Sequence, residues 1–310
     1  MLDKVTGGLI VSTGIFLMLT QTMAIANDST AALSTGGIIL EQNSKITMLS
    51  ENLFLSPSNV RVEYEYYNES ASAETLLVAF ALPKRDKLDD RIDWPSPSYL
   101  DFKTWINGVE IELVEGFRYW ELEEQAQQLL SNLATKSEYY LVLRQQTFPA
   151  NEIVQVVHEY TPAVGGGIPY YNYTEMKDAL VEIITDETTR NEHGHFLHCT
   201  DADDALENLE QWIAYMKNDK GLNPSDEEQY GKSLVWFDTL SYILQTGSNW
   251  KGPIGDFNLI VSADRPFFLN TCFEGLERTS ETSYEFNAKN YTPENDIYLM
   301  FHMSVDWEKY

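Results

Sequence analysis

Positive charge is what this sequence has least of: 21 Lys and Arg stand against 48 Asp and Glu, a net charge of −27 at pH 7. Such a surface repels polyphosphates and anionic headgroups, and no Lys/Arg cluster interrupts it, which excludes nucleic acid as a partner. Catalytic signatures are also missing. There is no G-x-S-x-G elbow, no H-E-x-x-H pair and no Walker loop, and the triple glycine at 165–167 runs into Ile168 and Pro169 instead of a helix start. The acidic run at 201–204 lacks the glycine and terminal Glu of an EF-hand loop. Cysteine is limited to Cys199 and Cys272, and none stands directly after residue 26, which argues against a lipoprotein.

What is present begins with an address. Lys4 supplies a positive start, residues 7–20 are apolar but too short to span a bilayer, and Ala24-Ile25-Ala26 puts small residues where a signal peptidase reads. The expectation is a secretory signal over 1–26, cleaved between Ala26 and Asn27, leaving a periplasmic or secreted protein with no membrane insertion. Asp3 offsets Lys4, so an uncleaved anchor is the alternative. In an exposed compartment the acidity reads as solubility. There the even cysteine count reads as a disulfide between Cys199 and Cys272, with 72 residues between them. The alternative is a reactive Cys199 thiol activated by a nearby histidine.

The N-terminal half is written with a period of two. Val60, Val62, Tyr64 and Tyr66 alternate with Arg61, Glu63, Glu65 and Tyr67, the pattern of a strand with one buried and one wet face. Turn chemistry at 68–72 and the apolar run at 76–82 predict a hairpin partner for it. Further strands are expected over 109–114, 138–144 and 153–160, with a loop over 84–98. Two segments switch to helical spacing. One carries Leu122, Ala126, Leu129, Leu130 and Leu133; the other, near 201–219, has Thr200 as a cap and a stripe of Leu206, Leu209, Trp212, Ile213 and Met216.

Gly165 to Gly167 and Pro169 then mark a candidate boundary or crossover, after which strand patterns return around 236–244 and 257–261. The reading is a mainly β protein, a β-rich α+β arrangement of antiparallel sandwich-like domains with two inserted amphipathic helices. The expected domains are 27–165, N-terminal and sandwich-like, and 166–310, C-terminal and carrying the helix near 201–219.

Three stretches carry a family likeness: residues 27–40 (NDSTAALSTGGIIL), 156–167 (VVHEYTPAVGGG) and 240–261 (LSYILQTGSNWKGPIGDFNLIV). The most specific part is G-x-N-W-x-G-P-I-G, formed by Gly247, Asn249, Trp250, Gly252, Pro253, Ile254 and Gly255. Together they resemble a bacterial exported family known only as a domain of unknown function. The resemblance implies export and a β-rich fold, and it implies no activity. The region around Cys199 resembles the family as well, but the preceding HGHFLH does not.

Two constellations bear on chemistry. His193, His195 and His198, next to Cys199, could offer imidazoles to Zn²⁺ or Cu²⁺. In an extended strand His193 and His195 share a face that His198 does not, and a disulfide would remove the thiolate, so the reading is a solvated loop with no metal. Trp250, with Asn249 and the aromatic Tyr242, could present a stacking platform to a ligand, or Trp250 could plug the end of a sandwich. The sequence therefore points to an exported non-enzymatic protein that binds an envelope ligand, glycan or protein, without cofactor or assignable catalytic residue. The rival reading is an envelope-polymer hydrolase whose carboxylates cannot be singled out among 48.

Overall fold

Alternation in sequence becomes alternation in burial. The strand β4 (Val60–Asn68) buries Val60, Val62, Tyr64, Tyr66 and Asn68 and turns the residues between them outward, so one face must meet another layer. A computed structural model describes residues 28–34, 37–41, 43–83, 100–111, 119–120, 139–162, 164–167, 173–188, 202–220 and 235–304. The expected signal over 1–26, the helix at 121–133 and the loop at 84–98 lie outside these residues.

The large layer is an eight-stranded sheet. Its order is β15 (Glu277–Ser280), β16 (Ser283–Tyr291), β13 (Ile254–Ser262), β3 (Ile46–Leu55), β4, β10 (Ile153–Tyr160), β6 (Lys103–Ile106) and β7 (Val109–Ile111). Two smaller sheets face it. One has the order β2 (Gly37–Glu41), β1 (Asp28–Ser34), β5 (Glu74–Pro83), β9 (Tyr139–Phe148) and β8 (Tyr119–Trp120). The other has the order β11 (Gly165–Gly167), β12 (Val235–Tyr242), β17 (Ile297–Ser304) and β14 (Phe267–Thr271). Nearly every pairing is antiparallel; the exceptions are β3 with β13 and β8 with β9.

A single cluster of buried side chains fills the space between the layers. Phe80 of β5 lies 4.7 Å from the ring of His158 and 5.1 Å from Phe102, while Phe267 of β14 lies 5.2 Å from Tyr284 of β16. Both small sheets thus share one apolar interior with the large one. Polar groups buried there are paired across strands: Thr104 Oγ1 and His158 Nδ1 are 2.8 Å apart, and Arg144 of β9 reaches His158 Nε2 at 3.4 Å.

The expected hairpin of residues 60–67 with 76–82 does not form. β4 pairs with β3 and β10, whereas β5 belongs to the facing sheet beside β1 and β9. Asn68 explains the crossing. Its buried side chain donates from Nδ2 to the carbonyls of Ser72 and Phe148, at 2.9 and 2.8 Å, and accepts from the Ser70 amide and hydroxyl. A turn locked in this way carries the chain from one layer to the other rather than back alongside itself.

The expected break at 165–166 is not a seam in the large sheet. β13, from beyond it, lies parallel to β3, from before it, with registered partners from Asp256 with Ser50 to Val261 with Leu55. Gly255 permits the approach, because a Cβ there would sit 2.5 Å from the Leu49 carbonyl oxygen.

Helices cover the outer face of the β11–β14 sheet. α1 (Tyr173–Thr185), which the sequence reading did not foresee, and α2 (Ala202–Lys220) enclose Met176, Leu180, Ala205, Leu209 and Trp212 over Phe268. The predicted α2 stripe is the buried one: Leu209 and Trp212 are in the interior, with Leu206 and Ile213 packed beside them. Arg278 sits over the Trp212 ring at 5.0 Å, tying α2 to β15.

Beneath these helices His302 of β17 stacks on Phe268, with ring centroids 4.3 Å apart. Burial pushes its imidazole down to about 3. An unfolded histidine titrates near 6.5, so between about 6.5 and 3 the unfolded chain holds a proton that the folded chain refuses. The stabilisation is complete above pH 6.5 and is lost as pH falls toward 3, at no more than about 1.4 kcal/mol per pH unit. Urea melts between pH 7 and 4 should show this slope in the wild type and lack it in His302→Phe; equal slopes would remove His302 from the account.

Candidate functional site

The outer face of the large sheet carries registered rows of polar side chains. Strands β4, β3 and β13 bury alternate residues and β16 turns Tyr284 and Phe286 to the core, so the residues between them point to solvent in rows across the sheet. One row is Glu65, Ser50, Asp256 and Lys289; the next is Glu63, Asn52, Asn258 and Asn287. A third is Arg61, Phe54, Ile260 and Glu285. Members of the first two rows line a groove of about 540 Å³.

Its polar groups hold one another in place. Asn258 Nδ2 donates to Asn52 Oδ1 at 2.7 Å, although the two are 206 residues apart. Lys289 pairs with Asp256, and Gln155 Nε2 donates to Glu65 Oε1 at 3.0 Å. At the rim, burial alone would lower the Arg61 guanidinium, but hydrogen bonds to Glu159 and Glu63 outweigh it and hold the group above its ordinary value. In the third row Ile260 is 40% exposed, beside Phe54, and gives the groove an apolar margin. The floor is rigid because β3 and β13 are interior strands, paired on both sides.

This surface can offer carboxamides that donate and accept, carboxylates that accept, and an apolar ledge. Among the described residues no cluster of three or more His, Cys, Asp or Glu could hold a metal ion. His193, His195, His198 and Cys199 lie outside those residues. Among the described residues there is no free cysteine, and Cys272 stands in the bend after β14.

The residues that the sequence singled out lie elsewhere. Trp250 is 3% exposed, 4.5 Å from the Tyr66 ring and 5.9 Å from Phe148, and fills the gap between the layers. Tyr242 is fully buried; its hydroxyl lies 3.0 Å from that of Tyr64 and donates to Glu51 Oε1 at 3.3 Å. Asn249 ends the short 3-10 turn Gln245–Asn249, and its carbonyl accepts the Asn43 amide at 2.6 Å. Tyr242 and Trp250 thus present no face to solvent, and Asn249 binds backbone to backbone.

The groove asparagines were missed, yet a signal existed. Asn is depleted in strands, and residues 51–54 (ENLF), 256–259 (DFNL) and 285–288 (EFNA) each place one at an outward position. What alternation could not provide was the register that brings them side by side.

No curated protein matches the chain. A crystal structure from Legionella pneumophila, of a protein to which a nutrient-binding role is ascribed, is 14% identical over 90% of this chain and 72% of its own, with a TM-score of 0.49. Among the described residues no helix is long and apolar enough to cross a membrane. A family model described as "Domain of unknown function (DUF4424)" matches residues 26–133 and 119–300. A match that runs through most of the sequence places the chain in that family, and it belongs to DUF4424.

Proposed function

We propose that the protein is an exported, non-enzymatic ligand-binding protein of the cell envelope, and that its contact surface is the groove on the outer face of the large sheet. The observation that carries this reading is the pair of registered rows, Glu65–Ser50–Asp256–Lys289 and Glu63–Asn52–Asn258–Asn287, on interior strands. Polar side chains fixed on a rigid sheet lose little freedom on binding, which is how a preorganised site gains affinity. Export is supported by the signal features of residues 1–26, and the proposed bridge between Cys199 and Cys272 suits an oxidising compartment.

One experiment tests the reading as a whole. Protein collected outside the cytoplasm should begin at Asn27 and contain no titratable thiol. A thermal-shift screen of that material against sugars, amino acids, nucleosides and polyamines should give a stabilising compound, lost in Asn258→Ala, with no product formed. A product that starts at Met1 removes export, and two free thiols remove the bridge. Stabilisation kept in Asn258→Ala removes the groove, and turnover that vanishes in Glu65→Gln replaces binding with hydrolysis.

A further inference from the structure

The groove is specific about what it excludes. Anions are disfavoured by the net charge of −27 and by the commitment of Lys289, its lysine, to Asp256. Cations find two carboxylates, but Asp256 is already paired with Lys289 and Glu65 already accepts from Gln155. An extended peptide is read by adding to an open sheet edge, whereas β3 and β13 lie inside the sheet. A purely apolar ligand would cover the donors and acceptors of Asn52, Asn258 and Asn287 that the Asn258–Asn52 bond does not use, at about 1–3 kcal/mol for each group so buried.

What remains is a neutral molecule whose groups both donate and accept, and which also has an apolar face. A carboxamide sets one donor and one acceptor side by side, the complement of two neighbouring hydroxyls. The carboxylates of Glu65 and Asp256 add acceptors for further hydroxyls. Next to the asparagine row stand Phe54 and Ile260, half-buried and exposed, as a ledge for the C–H face of a ring. The asparagines also recur at the strand spacing of about 4.8 Å. A chain of repeating units laid across the strands therefore meets the same group at each step.

Resting on the reading of this groove as the binding surface, we propose that its ligand is a neutral oligosaccharide lying across β3, β13 and β16, with hydroxyls on Asn52, Asn258 and Asn287 and ring faces on Phe54 and Ile260. Neither charge pairing nor a metal is needed to hold it.

Calorimetry of the mature chain with maltohexaose, cellohexaose, chitohexaose and mannohexaose tests this, with spermidine and triglycine as controls. At least one saccharide should bind, with affinity unchanged within about twofold from 50 to 500 mM salt, because no ion pair is formed. Asn258→Ala, and separately Phe54→Ala, should each weaken it about tenfold or more, with circular dichroism and melting temperature unchanged. Binding of spermidine alone, lost in Asn258→Ala and weakened by salt, would keep the groove as the site and overturn the saccharide. Saccharide binding that survives Asn258→Ala, Asn287→Ala and Phe54→Ala would overturn the groove itself. Failure of all four saccharides would overturn the class of ligand.

Discussion

Trp250→Ala should destabilise the protein by about 3–5 kcal/mol, the range for removing a large aromatic side chain from a packed interior. The indole is 3% exposed and touches rings from two layers, Tyr66 of the large sheet and Phe148 of the facing one. Tyr66 and Phe148 also meet each other, at 5.7 Å and nearly edge to face, so truncation would leave a void that these two rings alone cannot close. Around Trp250 the chain is held by backbone bonds, Asn43 N to the Asn249 carbonyl and Lys251 N to the Ile46 carbonyl. Collapse onto the cavity would therefore have to break them. Trp250→Phe should recover a large part of the loss. Chemical denaturation measures both; a loss below about 1 kcal/mol for Trp250→Ala would mean that the gap closes by other means.

The same reasoning explains why the motif around Trp250 stands out in the sequence while its role does not. Gly252 has φ +74°, which favours glycine, and Gly255 has no room for a Cβ against Leu49. Ile254 is buried and Trp250 is the plug. Each residue type was readable as unusual, but a glycine-flanked tryptophan looks alike whether it faces a ligand or a core. Only the position of β3 beside it decides, and the pairing of β3 with β13 spans some two hundred residues with no local signature. Strand alternation and the α2 stripe were legible because burial on one face leaves a period in the chain. The connection from β4 to β5 was not, because a tight polar turn is the same five residues in a hairpin and in a crossing between layers. The groove fell to the same limit: Asn52, Asn258 and Asn287 are single outward residues in three strands, and they make a site only through register.

Neither segment 27–165 nor segment 166–310, expressed alone, should give a cooperative unfolding transition. The composition break at Gly165–Gly167 suggests two modules, but the hydrogen bonding crosses it. In the first segment β3 would lose β13, its parallel neighbour over the positions from Ser50 to Leu55, and the sheet would end in an open edge at its centre. In the second, β13, β15 and β16 would remain as three strands, with the edge of β13 that pairs with β3 left open. The shared apolar cluster would be divided as well, since Tyr64 and Tyr66 come from one segment and Tyr242, Trp250, Phe267 and Phe301 from the other. The expected effect exceeds that of any point substitution, because a domain's margin is only about 5–15 kcal/mol and the division exposes many large side chains at once. Coexpression supplies the complementary arm: the two segments together should associate and regain the transition that each lacks. A sharp thermal transition of segment 27–165 on its own, at a temperature near that of the full chain, would show that the N-terminal strands close their core without β13.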